Sequence, residues 1–273
     1  MEIYGLLGEK LGHSLSPEIH KDILEKNNMS GVYKLFEVPK MQLENFVIGT
    51  KLIKVKGVNV TIPYKESIMK YLDYISDEAE RIGAVNTVLV KNNKLYGYNT
   101  DYFGIEVMLK IKNIIVNNKI AVILGSGGAC KAMVTYLLDN NIEKIYIVSR
   151  TPQKVTLNEI SEKISIINYK ELINIEGDII INSTPVGMYP NIGKSVIKQE
   201  IINKFDIAID LIYNPEETEF LKIAKEQGKI TVGGLYMLVG QAVKSQSIYN
   251  ENISIDFELI DLIYNNLLIK ELI

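Results

Sequence analysis

The chain has 273 residues, 47% of them apolar and 23% charged, with a formal net charge of -3, a length that supports about two domains with buried cores. The balance supplies no basic field for nucleic-acid phosphates and no polybasic stretch for an anionic membrane surface, so neither partner is expected. One cysteine, Cys130, rules out an internal disulfide, and with only His13 and His20 beside it the sequence predicts no transition-metal site.

The opening Met1-Glu2-Ile3-Tyr4-Gly5 lacks the basic and apolar regions of a secretory leader, and no apolar run approaches the roughly 18 residues that cross a bilayer. A cytoplasmic protein is expected. β-rich runs at 3–7, 32–38 and 57–62 alternate with helical patterns at 17–28, 41–53 and 65–72, which predicts an α/β sheet. Runs 84–90 and 95–98, separated by Asn92-Asn93, read as a β-hairpin, and a helix over 102–110 follows.

From Lys119 the rhythm becomes regular, with apolar strands at 120–124, 145–148, 179–182 and 207–211 separated by helix-length segments. Continuous apolar strands of this kind predict a parallel sheet covered on both faces. Helical patterns at 235–249 and 256–269 close the chain, and periodicity leaves open which domain they join.

The strand 120–124 runs into Gly125, Ser126, Gly127, Gly128, Ala129 and Cys130, then a helix through Leu138. A strand, a glycine-rich turn and a helix start together admit a pyrophosphate against the helix N-terminus, although Cys130 takes the place of the third glycine. The next strand ends in Ser149, Arg150 and Thr151, where an acidic residue would favour NAD; Arg150, with Lys154 nearby, favours the extra phosphate of NADP. Ser183, Thr184, Pro185, Val186, Gly187 and Met188 follow the strand 179–182 at its carboxyl end. They either line the nicotinamide and its ribose or form a Pro-Gly turn.

Ser14 and Ser16 flank Leu15 in a segment expected to be extended before Pro17, which directs both hydroxyls one way. They either hold a carboxylate together or leave Ser16 as a helix cap. Asn59 and Thr61 share one strand face while Val60 and Ile62 face the core, and Lys65 opens the next helix. A cation at the positive end of a helix is disfavoured, which makes Lys65 a better proton acceptor. Asp101 either caps the following helix or orients the Lys65 ammonium, and Asn86 adds an amide.

These segments resemble the shikimate dehydrogenase family, through HSLSP, NVTIPYK, GAVNT, NTDYFG, GSGGACKA, STPVGM, DLIYNP and GGLYMLVGQA, in the expected order from His13 to Ala242. The resemblance implies reversible NADPH-dependent reduction of 3-dehydroshikimate to shikimate, with Lys65 and Asp101 as the catalytic pair. It implies that Ser14, Ser16 and Tyr213 bind the substrate carboxylate, and that Asn59, Thr61, Asn86, Asp101 and Gln241 address ring hydroxyls and the reacting group. Leu211, Gly234 and Met237 complete the implied cofactor set. Met237 and Gln241, four apart, share a helix face.

The implied architecture is a substrate domain over 1–102 completed by 235–273, and a Rossmann-like NADP domain over 103–234. The small-molecule substrate needs no macromolecular partner, and both monomer and homodimer fit. A broader quinate/shikimate dehydrogenase is the alternative within the class. A non-catalytic NADP- or shikimate-binding regulator is the alternative outside it.

Overall fold

The computed structural model describes residues 1–12 and 14–270; His13, at the head of the HSLSP segment, and 271–273 lie outside the described residues. The described residues form two compact units, Met1–Gly104 with 239–270, and Ile105–Leu238. No helix of the described residues is long and apolar enough to cross a membrane.

The first unit opens with β1 (Glu2–Gly8), α1 (Ser16–Lys26), β2 (Gly31–Glu37), α2 (Leu43–Leu52), β3 (Gly57–Val60), β4 (Tyr74–Ile75), α3 (Asp77–Ile82), β5 (Thr87–Lys91) and β6 (Lys94–Tyr98), before α4 (Asp101–Ile111) leads into the second. Its strands make one mixed sheet in the order β2-β1-β3-β5-β6-β4. β1 runs parallel to β2 and β3, while β5 is antiparallel to β3 and β6. At the β5–β6 turn Asn92 and Asn93 take φ of 53° and 60°, the left-handed pair that a two-residue hairpin turn needs. Leu7, Val58, Val60, Tyr64, Val88 and Leu95 anchor a buried core.

The second unit continues with β7 (Ile120–Leu124), α5 (Gly128–Asp139), β8 (Lys144–Val148), β9 (Ile164–Ile167), β10 (Ile179–Asn182), α6 (Gln199–Ile202), β11 (Ile207–Asp210), α7 (Glu219–Glu226) and β12 (Ile230–Val232). These strands form an all-parallel sheet in the order β12-β11-β10-β7-β8-β9. The chain winds outward from β7 through β9, then returns to lay β10 on the other side of β7. Doubly wound sheets bind ligands beyond the strand ends at such a reversal.

Two helices finish the chain, α8 (Leu235–Tyr249) and α9 (Phe257–Ile269). The Tyr249 ring lies where a side chain on Gly57 would be, and it stacks on Tyr4 with ring centroids 5.6 Å apart. The missing side chain at Gly57 thus seats the later turns of α8 on the first sheet.

Three local expectations fail for identifiable reasons. Residues 65–72 form successive turns ending in a 3-10 segment, Met69–Tyr71, because the Lys65 carbonyl accepts from Val85 N–H (2.8 Å) and is lost to helix propagation. Lys65 therefore opens no helix, and the dipole expected of a helix beginning there is absent. The strand 57–62 stops at Val60: Ile62 is 74% exposed instead of facing the core, and Asn59, on the opposite face from Val60, is itself buried. Leu15 adopts helical backbone angles (φ -80°, ψ -6°), and Ser16 lies inside α1 without capping it, so neither the extended-segment geometry nor the Ser16 cap applies. The short β4, α3, β9 and β12 are additional to the elements expected above.

Candidate active site

Lys65 Nζ stands 2.6 Å from Asp101 Oδ2, with the two side chains 16% and 7% exposed. The other carboxylate oxygen, Asp101 Oδ1, accepts from Asn86 Nδ2 (2.8 Å), and the Asp101 main-chain N–H donates to Asn99 Oδ1 (3.0 Å). Asp101 begins α4, where a negative side chain also suits the helix N-terminus. Of the two roles that its sequence position allowed, its printed bonds serve the one beside the Lys65 ammonium.

Asn86 has no freedom to rotate its amide. Its Oδ1 takes the Thr100 N–H at 2.7 Å and lies 2.9 Å from the Thr87 hydroxyl, so a flipped amide would set donor against donor. Asn59 is held as firmly: Nδ2 reaches Ser245 Oγ (2.8 Å) and Thr87 Oγ1 (3.2 Å), and Oδ1 accepts from the Tyr33 hydroxyl (3.0 Å). Both ends of the Asn59 amide thus bond other side chains of the first unit.

Thr87, Thr100 and Ser245 form a buried hydroxyl cluster, with oxygens 2.9 to 3.1 Å apart. Ser245 also donates to the Gln241 carbonyl one turn earlier in α8 (2.8 Å), while Gln241 Oε1 lies 3.4 Å from Thr100 Oγ1. The first unit therefore brings Asn59, Lys65, Asn86, Asp101 and Gln241 into one network. Ser16 joins through Tyr33: burial raises the Tyr33 phenol, and its hydrogen bond with Ser16 pulls it back. Ser14 Oγ accepts the Ser16 N–H (3.2 Å). Thr61 is half-buried just past β3.

Sequence reasoning assigned no role to Tyr33, Thr87, Thr100 or Ser245. Thr87 and Thr100 sit inside motifs already noted, and Ser245 follows Gln241 by four residues, so a helix-face argument would have reached it. Behind Tyr33, His20 stacks at 4.0 Å between ring centroids. Burial pushes the His20 imidazole down to about 3, so it is neutral at neutral pH.

In the second unit the turn after β7 has the shape a diphosphate needs. Gly125 has φ of +106°, and a Cβ there would stand 2.8 Å from Ser183 Oγ, which excludes other residues on two grounds. Gly127 precedes α5 with no side-chain cap, and a Cβ on it would meet nothing within 4 Å. The first N–H groups of α5 are thus framed by Ser126, Gly127, Gly128 and Ala129 without bulky side chains. Cys130 is fully buried and its thiol is pushed up to about 12 by burial, which makes it a packing residue and no nucleophile.

At the end of β8, Ser149 Oγ accepts the Thr151 N–H (3.2 Å), while Arg150, Thr151 and Lys154 are exposed. Arg150 is one of only two arginines in the chain, with Arg81, and its charge opposes the burial-driven rise of the Tyr169 phenol. Across the switch point, Ser183 donates to the Leu124 carbonyl (2.8 Å) and Thr184 to Asn182 Oδ1 (2.7 Å). Pro185 and Met188 are exposed around Gly187 at φ of +97°. Leu211 donates its N–H to Asn182 (3.0 Å), and its carbonyl lies where a side chain on Gly234 would be. Tyr213, raised by burial, and the buried Met237 also belong to this unit.

A doubly wound dinucleotide fold joined to an α/β unit with a partly buried lysine–aspartate pair defines the class of two-domain nicotinamide oxidoreductases. Residues 6–88 match the family described as the shikimate dehydrogenase substrate binding domain, and residues 119–210 the one described as NADP oxidoreductase, coenzyme F420-dependent. The chain is 52% identical over 251 residues to the shikimate dehydrogenase (NADP(+)) of Clostridium beijerinckii, covering 92% of this chain and 93% of that one. The solved shikimate dehydrogenase 1 of Peptoclostridium difficile matches with a TM-score of 0.94 at 55% identity over 99% of both chains. Shikimate 5-dehydrogenase from Thermus thermophilus, in complex with NADP(H) and shikimate, matches with a TM-score of 0.85 at 30% identity, over 97% of this chain and 99% of that one. The chain belongs to the shikimate dehydrogenase family.

Proposed function

We propose that this protein is an NADP-dependent shikimate dehydrogenase that interconverts 3-dehydroshikimate and shikimate in chorismate and aromatic amino-acid biosynthesis. The observation that carries the reading is the Lys65–Asp101 pair at 2.6 Å, with Asp101 held on its other side by Asn86. Bound NADPH supplies the hydride. Lys65 delivers a proton from Nζ to the substrate oxygen as it gains electrons, and its positive charge stabilises that oxygen while the charge develops. Asp101 keeps the ammonium aimed and stabilises its protonated form before the transfer. In the oxidation direction neutral Lys65 accepts the hydroxyl proton.

The first unit is the substrate half, with Ser14, Ser16, Thr61, Asn86 and Gln241 as polar contacts, and Tyr213 is a further candidate for the carboxylate. The second unit is the cofactor half, with the pyrophosphate on Gly125–Ala129 backbone and the 2′-phosphate on Arg150 and Lys154. This reading includes a small-molecule substrate, cytoplasmic action, no nucleic-acid partner, and a monomer or homodimer. The slight negative charge supports the absence of a polyanionic partner.

An absorbance assay of the purified protein, pairing shikimate or quinate with NADP or NAD, tests the proposal. Rapid cofactor reduction with shikimate and NADP alone is expected. Equal turnover of quinate would move the protein to the broader branch, and no turnover with any pair would overturn the activity.

A further inference from the structure

The second unit contains a buried carboxylate that proton transfer does not use. Asp210, the last residue of β11, has no exposed surface. Its oxygens accept from Asn182 Nδ2 (3.1 and 3.2 Å), the Thr218 hydroxyl (2.7 Å) and the Ile212 N–H (3.0 Å). Burial pushes its carboxyl up to about 6, against the pull of the hydrogen bonds from Thr218, Ile212 and Asn182. At neutral pH it is a charge kept in the interior, an arrangement that requires donors on every side.

That carboxylate determines how Asn182 stands. Facing an acceptor-only group, the Asn182 amide turns its NH2 towards Asp210, where it also donates to the Val186 carbonyl (3.3 Å), and its oxygen towards Thr184. Asn182 Oδ1 there takes the Thr184 N–H (3.0 Å) and the Thr184 hydroxyl (2.7 Å), and Thr184 Oγ1 in turn accepts the Val186 N–H (3.3 Å). Each link fixes the loop 183–188 at the switch point beside Gly125. A reversed amide would present NH2 to the Thr184 N–H and release the loop.

We propose that Asp210 is a positioning residue for the cofactor, acting through Asn182 to set the loop 183–188 that receives the nicotinamide end of NADP. The inference rests on the function proposed above, which assigns that loop to the cofactor. It gives the buried charge a purpose that packing alone would not.

The test compares wild type, Asp210→Asn and Thr184→Val in steady-state kinetics, varying NADP at saturating shikimate and the reverse, with NADPH Kd measured by fluorescence. Asp210→Asn should raise the NADP KM and the NADPH Kd about tenfold while the shikimate KM stays within about twofold, and Thr184→Val should shift the same constants about threefold. Simple destabilisation would reduce the active fraction and leave both KM values alone. A folded Asp210→Asn protein with the wild-type NADP KM, or with both KM values raised together, overturns the inference. Should Asp210→Asn fail to fold, Thr218→Val keeps the carboxylate and removes one donor: a rise of about threefold in NADP KM supports the inference, and a wild-type value refutes it. Wild type without shikimate turnover would overturn the proposed function instead, and the NADPH Kd of the variants would still test the loop.

Discussion

Around Lys65 the reactive groups are side chains whose remaining hydrogen bonds are spent inside the protein, whereas around Gly125 the turn offers main-chain N–H groups and almost no side chain. The first arrangement depends on chemical identity at each position. The second depends on backbone shape, with exposed Arg150 and Lys154 adding charge at the edge. Mutational tolerance should follow that division: a lost functional group is costly in the first unit, while in the second an added methyl on Gly125 matters more than most side-chain deletions.

Each unit also holds a buried group that responds to acid, and the two respond in opposite senses. His20, in the first, has its folded value lowered from 6.5 to about 3 by burial; its stabilising contribution is complete above 6.5 and is lost as pH falls towards 3, at about 1.4 kcal/mol per pH unit. Asp210, in the second, has its folded value raised from 3.8 to about 6. Its contribution is complete below 3.8 and is lost as pH rises towards 6, at the same slope of about 1.4 kcal/mol per unit. Between pH 4 and 6 the His20 contribution therefore falls in acid while the Asp210 contribution rises.

Peptide-resolved hydrogen exchange can break this comparison. The largest effect expected is at His20: relative to His20→Gln, the wild-type first unit should lose up to about 5 kcal/mol of protection between pH 6.5 and 3. Next comes Asp210→Asn, relative to which the wild-type second unit should lose about 3 kcal/mol between pH 3.8 and 6. A common sign in both units would contradict the assignment.

Smaller effects sharpen it. Arg150→Ala should raise the NADP KM by about 10- to 100-fold, the cost of about 1.5 to 3 kcal/mol of charge-assisted bonding, and leave the NAD KM unchanged. An equal effect on both cofactors would remove Arg150 from the 2′-phosphate. Thr87→Val, which keeps the shape but removes a shared hydroxyl from the buried cluster, should lower stability by about 1 to 2 kcal/mol and reduce kcat through Asn86. Urea denaturation and kinetics on one preparation check both effects.

Much of this was legible because the relevant runs carried their own boundaries. The strands at 120–124 and 179–182, and the helix over 235–249, match the structure residue for residue, each being a long apolar pattern or a run bounded by turn residues. The Lys65 segment misled because its helical pattern was overridden by a carbonyl committed to Val85 across the unit, a long-range bond that periodicity cannot register. Ile62 misled for a related reason, since alternation continues on paper after the strand has ended. Lys65, Asn86 and Asp101 were visible as residues, but their dependence on Tyr33, Thr87 and Ser245 joins positions separated by up to 186 residues, as in the Asn59–Ser245 bond. No local pattern encodes such a meeting.

The central claim is that Lys65 and Asp101 work as one proton-transfer unit, and a double-mutant cycle on turnover tests it most directly. Lys65→Ala should reduce kcat on the order of 10^3-fold with NADPH affinity preserved, and adding Asp101→Asn should make little further difference, because residues acting as a unit are not additive. Near-normal turnover by Lys65→Ala, or losses that multiply in the double variant, would contradict the account.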